Sequence, residues 1–372
     1  MMSGEKSGRS VRRVLVIFPG ALGDLMCLMP TLAATARRHS GASLELMARV
    51  DLARLVVGRS VVVRGHSIDA REVGELFADE KLAGARRFFG EFDRIYSFFA
   101  SEDLRFRERL AAATDGEVSF HPFRPGGEGH VSAGYLRAIG GGASAMDARL
   151  EPTADDLAAA SRVLAESGCD CSKLIVIFPG SGSVGKNWPV EKFVALAVLL
   201  AERAEILRFA LNDTREGAGL NDTRGEAGLN DTGVGDIGAS DIGANDAGAG
   251  AGQDQKTTGA GVVILGPAET SIEPIFLEAR VPVLKDLDLP TVAAVARLAS
   301  GFVGNDSGVS HLAAAVGAPG VVIFGPTDPA RWRPMGPGGE ESIRVLRREP
   351  IDSIEVGEVA DAISKFVEQR QR

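Results

Sequence analysis

Cysteine is scarce in this chain: three residues in 372, at positions 27, 169 and 171. Cys169-Asp170-Cys171 is too tight for a CxxC metal or redox site, and no histidine cluster completes it. A disulfide scaffold is therefore excluded, and a reducing compartment fits. Long apolar runs are also missing. No stretch of about 20 uninterrupted apolar residues occurs, so no membrane span is expected. Excess positive charge is absent: 41 Lys and Arg stand against 50 Asp and Glu, a formal net charge of −9. That balance argues against a broad nucleic-acid surface.

What remains is an ordinary globular composition, 45% hydrophobic and 24% charged, on a chain long enough for two domains with full cores. Lys6, Arg9, Arg12 and Arg13 precede the apolar run from Val14 to Ile17. Pro19, Gly20, Gly23 and Asp24 then interrupt that run, so the start reads as strand, turn and helix rather than a secretory leader. Residues 1–11 are expected to be a flexible, solvated tail.

The chain repeats itself once. Val16-Ile17-Phe18-Pro19-Gly20 recurs as Val176-Ile177-Phe178-Pro179-Gly180, each a buried strand end entering a glycine-containing loop and then a helix. This order predicts two similar doubly wound domains. In the first, apolar segments fall at 44–48, 61–64 and 94–98, and residues 117–142 read as loop-rich. A helix over 154–166 leads into the second. There the expected order is strand 174–178, helix 190–208, strand 262–265, helix 272–279, strand 282–284, helix 290–299, strand 301–303, helix 308–316 and strand 320–324. This is the rhythm of a parallel sheet with helices on both faces. Residues 354–369 read as a closing amphipathic helix.

Residues 211–261 break the rhythm. LNDTREGAG, LNDTRGEAG and LNDTGVG give way to DIGAS, DIGAN and DAGAG. Such a tract buries too little apolar surface to offset its ordering entropy, so disorder is expected. The GGxGxD order of a calcium-binding roll is broken. The tract joins a helix to the following strand, on the sheet edge opposite the one that holds ligands.

The most informative run is GNDSGVSHLAAAVGAPGVVIFGPTDPARWRPMG, residues 304–336. Two strand ends and one helix N-terminus converge there, where open α/β sheets hold ligands. Ser307 and Gly308 sit where backbone N–H groups and the helix dipole can hold a diphosphate. His311 is either a core histidine or a group near the phosphates. Thr327-Asp328-Pro329 is a turn or a part of the cleft.

Two further loops join strand to helix. Pro19-Gly20-Ala21-Leu22-Gly23-Asp24 is not the G-x-G-x-x-G fingerprint, because its glycines are three apart and an acid follows the second. Asp24 is a capping residue or, at the mouth of a cleft, a general base. GSGSVGKNWP, residues 180–189, fails the Walker A pattern because Asn187 follows Lys186. Lys186 is a surface lysine or a phosphate contact.

Taken in this order, the three motifs resemble the heptosyltransferases of glycosyltransferase family 9. The similarity is weak over roughly residues 40–130, and the 211–261 insert is foreign to it. The resemblance implies an α/β GT-B fold, two Rossmann-like domains facing across a cleft. Residues 12–153 would form the acceptor domain and 154–349 the nucleotide-sugar domain, with 350–372 packing back on the N-terminal domain. It implies inverting transfer of a heptose from ADP-heptose to a lipopolysaccharide core or another glycan or lipid-linked acceptor. Asp24 would be the general base and Lys186 a phosphate or sugar contact. Glu269 would bind the ribose hydroxyls, Leu287 would lie near adenine, and Asp306, Ser307, Gly308 and His311 would hold the diphosphate and heptose. Gly20, Gly23, Gly180, Thr327 and Asp328 would line the cleft. No metal, cofactor or nucleic acid is expected. A cytoplasmic enzyme is implied, peripheral at the inner membrane through its acceptor.

Three rival readings stand beside this one: a relative using another sugar nucleotide, a non-catalytic nucleotide-sugar binder, and a nicotinamide-dependent oxidoreductase on a similar sheet. Arg105, Arg107 and Arg109 are candidates for an anionic acceptor, or a solvated helix face.

Overall fold

The two similar strands each lie inside a parallel sheet of their own. Burial on both faces explains why they read as unbroken apolar runs. The computed structural model describes residues 11–79, 81–142, 149–169, 174–219 and 261–370. In the first half β1 (Arg13–Ile17), α1 (Leu22–Arg38), β2 (Ser43–Ala48), α2 (Val50–Val56), β3 (Arg64–Ser67), α3 (Arg71–Gly74) and α4 (Ala83–Phe89) are followed by β4 (Arg94–Ser97), α5 (Leu104–Ala112), β5 (Glu117–Phe120) and α6 (Val131–Ala138). The second half opens with α7 (Ala154–Glu166), β6 (Ile175–Phe178), α8 (Val190–Gly219), β7 (Gly261–Leu265), α9 (Glu273–Glu278) and β8 (Val283–Lys285). It continues through α10 (Leu289–Leu298), β9 (Gly301–Asn305), α11 (Gly308–Ala315), β10 (Gly320–Phe324), α12 (Pro329–Trp332), β11 (Ile343–Arg347) and α13 (Val356–Arg370).

The sheet orders are β3-β2-β1-β4-β5 and β11-β10-β9-β6-β7-β8, with every pair parallel. Each sheet reverses its winding once, between β1 and β4 and between β6 and β9. Those two switch points are where doubly wound sheets leave a crevice at the carboxyl ends of their strands.

The halves share one apolar core. α1 offers Leu25, Met26, Cys27, Leu28, Met29 and Leu32; α11 answers with Leu312 and the small run Ala313-Ala314-Ala315, all buried in one cluster. α1 packs on α11, and α7 packs on α10. Small alanines on α11 allow the backbones to come close.

Several expectations need correcting. β3 begins at Arg64 rather than at Val61; Val61 and Val63 are exposed, and the strand is the polar edge RGHS. The stretch read as loop-rich contains β5 and α6, whose short or mixed sequences carry little periodic signal. β11 was not expected at all; as an edge strand it mixes buried Ile343 and Leu346 with exposed Arg344 and Arg347. α8 runs past residue 208 to Gly219, so the first repeat copy prolongs a helix that meets no proline. The expectation for the rest of the tract, 220–260, lies outside the described residues, as does that for residues 1–10.

The closing helix also differs. Val359, Ala360 and Ile363 of α13 are buried with Ile175, Val303 and Val321, and α13 packs on α8, β9 and β10. It covers the second sheet rather than reaching back to the first. The reason is the apolar face of that sheet, which α13 covers together with α8.

Where the halves join, Arg59 clamps the start of α7. Its Nε and Nη2 each lie 2.6 Å from one oxygen of Asp156, while Nη1 donates to Val57 O at 3.1 Å. Asp156 also accepts from the Thr153 N–H and hydroxyl, closing the helix cap. Arg59 above all, against the cost of burial and helped by Thr153, pulls the Asp156 carboxyl down to about 2. A depressed carboxyl contributes stability that is full above its unfolded pKa of about 3.9 and is lost as pH falls toward the folded value. Asp156→Asn is therefore expected to cost on the order of 1–2 kcal/mol near neutral pH after solvent screening. Its urea midpoint should fall less than the parent's between about pH 4 and pH 2. Parallel pH profiles for the two proteins would overturn this assignment.

Candidate active site

Asp24, Lys186, Asp306 and His311 come from four separate elements and meet between the two switch points. Asp24 lies in the first turn of α1, where its Oδ2 accepts from the Ala21 N–H at 3.2 Å. Asp24 therefore caps the start of the helix through its side chain. Arg124, from the loop after β5, brings Nη2 to 3.9 Å from the same oxygen. Burial pushes the Asp24 carboxyl above its usual range, and Arg124, the Ala21 N–H and Lys186 offset this only in part. A raised pKa makes a stronger base.

Lys186 sits in the turn between β6 and α8, with Nζ 2.7 Å from Asp306 Oδ2. The loop is fixed from behind by Asn305, which is fully buried. Its amide donates to Pro179 O at 2.7 Å and accepts from the Trp188 N–H at 3.0 Å. The Trp188 indole N–H in turn donates to Ile354 O at 3.1 Å. Lys186 thus stands on a rigid support while its ammonium group is about one-third exposed.

Ser307 is the N-cap position of α11, and Gly308 its first residue. Gly308 has to be small. A Cβ on Gly308 would stand 3.0 Å from Gly23 N and 2.9 Å from Leu22 Cβ, so the N-termini of α1 and α11 abut through their backbones. His311 follows on α11, buried, with Nδ1 3.8 Å from Cys27 Sγ. Burial draws its pKa down; Asp306 opposes this, and His130 and Lys186 add to it. The imidazole is neutral at neutral pH.

Other expected residues lie further along the second sheet. Glu269, after β7, accepts from the Gly266 N–H at 2.8 Å and presses on Gly180, where a Cβ would come within 2.2 Å of Glu269 Oε1. A side chain at position 180 would push that carboxylate aside. Leu287 follows β8 and is partly buried against the core. Asp328 Oδ1 caps α12 through the Ala330 N–H at 3.0 Å, with Thr327 just before it, so the turn reading describes this loop. Gly20 allows the tight turn after β1, since a Cβ there would meet Phe18 and Asp24. Arg105 pairs with Asp79 at the surface, Arg109 donates to Glu75 O and Arg107 covers the Phe120 ring, so each has a partner in its own half.

Sequence reasoning missed the residues between β5 and α6. Arg124 is one. His130 is another: it accepts from the Ser132 N–H, donates from Nε2 to Arg333 O at 2.9 Å, and so ties the halves together. Arg331 donates to Pro125 O at 2.8 Å and Gly127 O at 3.1 Å across the same gap. Tyr135 is fully buried, its hydroxyl has no hydrogen-bond partner among the described residues, and the charges it senses are Asp24, Arg124 and Arg331. The signal available was a Pro- and Gly-rich loop at a strand end.

Among the described residues no group of three or more His, Cys, Asp or Glu is placed to hold a metal ion. One DxD spacing does exist, Asp286-Leu287-Asp288, but Asp288 caps α10 through the Thr291 N–H at 2.9 Å. No helix among the described residues is long and apolar enough to cross a membrane.

Comparison with known proteins agrees with this architecture. Residues 256–349 match the family model described as glycosyltransferase family 9 (heptosyltransferase), so the resemblance seen in the motifs holds. No curated protein sequence matches the chain. A glycosyltransferase of family 9 from Veillonella parvula is 14% identical with a TM-score of 0.66, covering 98% of this chain and 100% of its own. The ADP-heptose lipopolysaccharide heptosyltransferase II of E. coli is 16% identical with a TM-score of 0.63, over 97% and 100%. The E. coli heptosyltransferase WaaC, solved with ADP, is 18% identical with a TM-score of 0.58, over 96% and 99%. The chain has the α/β GT-B fold of these structures.

Proposed function

We propose that this chain is an inverting glycosyltransferase that moves heptose from ADP-heptose to a hydroxyl of a lipopolysaccharide core or another surface glycan. One observation carries the reading: a buried carboxylate with a raised pKa, Asp24, faces a lysine and a helix N-terminus at the meeting point of two doubly wound sheets. That set supplies a base on one side and anion stabilisation on the other. Two of the solved structures with this fold carry ADP or ADP-2-deoxy-2-fluoro heptose, which supports the choice of donor.

The reaction then balances within one displacement. The acceptor oxygen forms a bond to the anomeric carbon as Asp24 takes its proton. The bond from that carbon to the phosphate oxygen breaks, and its electron pair leaves with ADP. Lys186 and the N–H groups at Ser307 and Gly308 meet the charge that grows on the leaving group. The N-terminal half holds the acceptor, and residues 154–349 the donor. The acceptor would bring the enzyme to the cytoplasmic face of the inner membrane.

The deciding experiment is a calorimetric and thermal-shift panel of ADP, ADP-heptose, UDP- and GDP-sugars and NAD⁺. A ligand at 100 times its Kd adds about 2.7 kcal/mol of stability. ADP and ADP-heptose alone should bind. Preference for UDP- or GDP-sugars would replace the donor, and NAD⁺ alone would remove the transferase reading. Binding without turnover on any glycan acceptor would leave a nucleotide-sugar receptor. Because Lys186 and the α11 N-terminus supply the positive charge, turnover is expected to survive EDTA. Loss of activity in EDTA, restored by Mg²⁺, would refute that expectation.

A further inference from the structure

We infer that Cys27 is a positioning residue: its thiol donates to His311 Nδ1 and so fixes the imidazole as the Nε2–H form, which can donate to the diphosphate. The diphosphate part rests on the donor reading above; the tautomer does not.

The geometry comes from helix periodicity. Gly23 and Cys27 are four residues apart on α1 and share one face. The His311 ring lies along that face. Its Cδ2 would be 3.5 Å from a Cβ on Gly23, and its Nδ1 is 3.8 Å from Cys27 Sγ. Position 23 thus flanks one edge of the ring, and the thiol at position 27 closes its far end. Both partners are nearly inaccessible, Cys27 at 3% and His311 at 4%.

A neutral imidazole has one donor nitrogen and one acceptor. Burial, with Asp24 adding to it and the Ser132 hydroxyl opposing, pushes the thiol up to about 12, so Cys27 keeps its proton, and in the inferred contact it is the donor. Nδ1 is then the acceptor and Nε2 carries the hydrogen. The other tautomer would present a lone pair from Nε2 to an anionic oxygen. Burial keeps the ring neutral; Asp306 opposes this, and His130 and Lys186 add to it. The contact joins α1 to α11, so His311 is oriented only while the two halves are packed together.

The test uses the full chain labelled with ¹⁵N. The His311 ring signals are assigned against His311→Gln. Cys27→Ser keeps a donor, and Cys27→Val removes it at similar volume. The parent and the serine variant should show the Nε2–H form, and the valine variant a mixture with Nδ1–H. ADP affinity should fall roughly tenfold in the valine variant, about the worth of one hydrogen bond to a charged group, and be largely kept in the serine variant. Cys27→Ala repeats the comparison if valine prevents folding. An unchanged tautomer in both donor-less variants, or an Nδ1–H parent, overturns the inference. A Cys27-dependent tautomer in a protein that binds no ADP would uphold the positioning role and overturn the donor reading instead.

Discussion

Asp24→Asn is expected to lower turnover about 10²–10⁴-fold while leaving the protein at least as stable as its parent. The two halves of that outcome share one cause. Burial raises the Asp24 carboxyl, and Arg124, the Ala21 N–H and Lys186 only partly restore its charge. A carboxyl raised on folding favours the folded state below its unfolded pKa, and that advantage is lost as pH rises through the folded value. At neutral pH the ionised Asp24 is therefore a cost to stability. Asparagine removes the charge and can still accept from the Ala21 N–H. Melting curves at pH 7, turnover and ADP calorimetry check this together. Full activity would end the base assignment, and a joint loss of stability and activity would make Asp24 a structural cap. In the parent, the acid limb of the rate profile should lie above the ordinary aspartate range, since only the ionised form accepts the acceptor's proton.

Lys186→Ala should weaken ADP binding roughly 10–100-fold, the value of one charge-assisted hydrogen bond. Its effect is doubled in kind by Asp306. That carboxylate is 6% exposed and lies 2.7 Å from the ammonium group. Without Lys186 it stays buried, unpaired, and close to where the diphosphate would sit. Asp306→Asn added to Lys186→Ala should recover part of the loss, because the second change removes the repulsion that the first creates. Equal ADP affinity in Lys186→Ala and parent would mean that the lysine serves Asp306 alone.

The interior of both sheets was legible because buried parallel strands leave a plain mark. Val14 to Ile17, Ile175 to Phe178 and Val321 to Phe324 are apolar on both faces and end in small polar loops. Edges left no such mark. RGHS and EVSF pair only on one side, so polar residues are tolerated there, and their strands were displaced or missed. The final helix was legible as an element but not in its location, since an amphipathic pattern says that a face is buried, not against what. At the site, Asp24, Lys186, Asp306 and His311 were readable because each stands at a strand-to-helix junction. Arg124, His130, Tyr135 and Arg331 were not. They act through contacts between segments far apart in the chain, such as Arg124 on Asp24 and Arg331 on Pro125, which no local spacing encodes.

The anchoring of the lysine loop has an optical consequence. The chain has two tryptophans. Trp188 is buried behind Lys186 and bonded on both its nitrogens. Trp332 lies beside Arg331, whose guanidinium carbon is 5.8 Å from its ring, at the grip that joins the halves. Fluorescence from a Trp332→Phe protein would thus follow the loop that carries Lys186. A Trp188→Phe protein would follow the bridge between the halves, and the two events could be timed separately without any added dye.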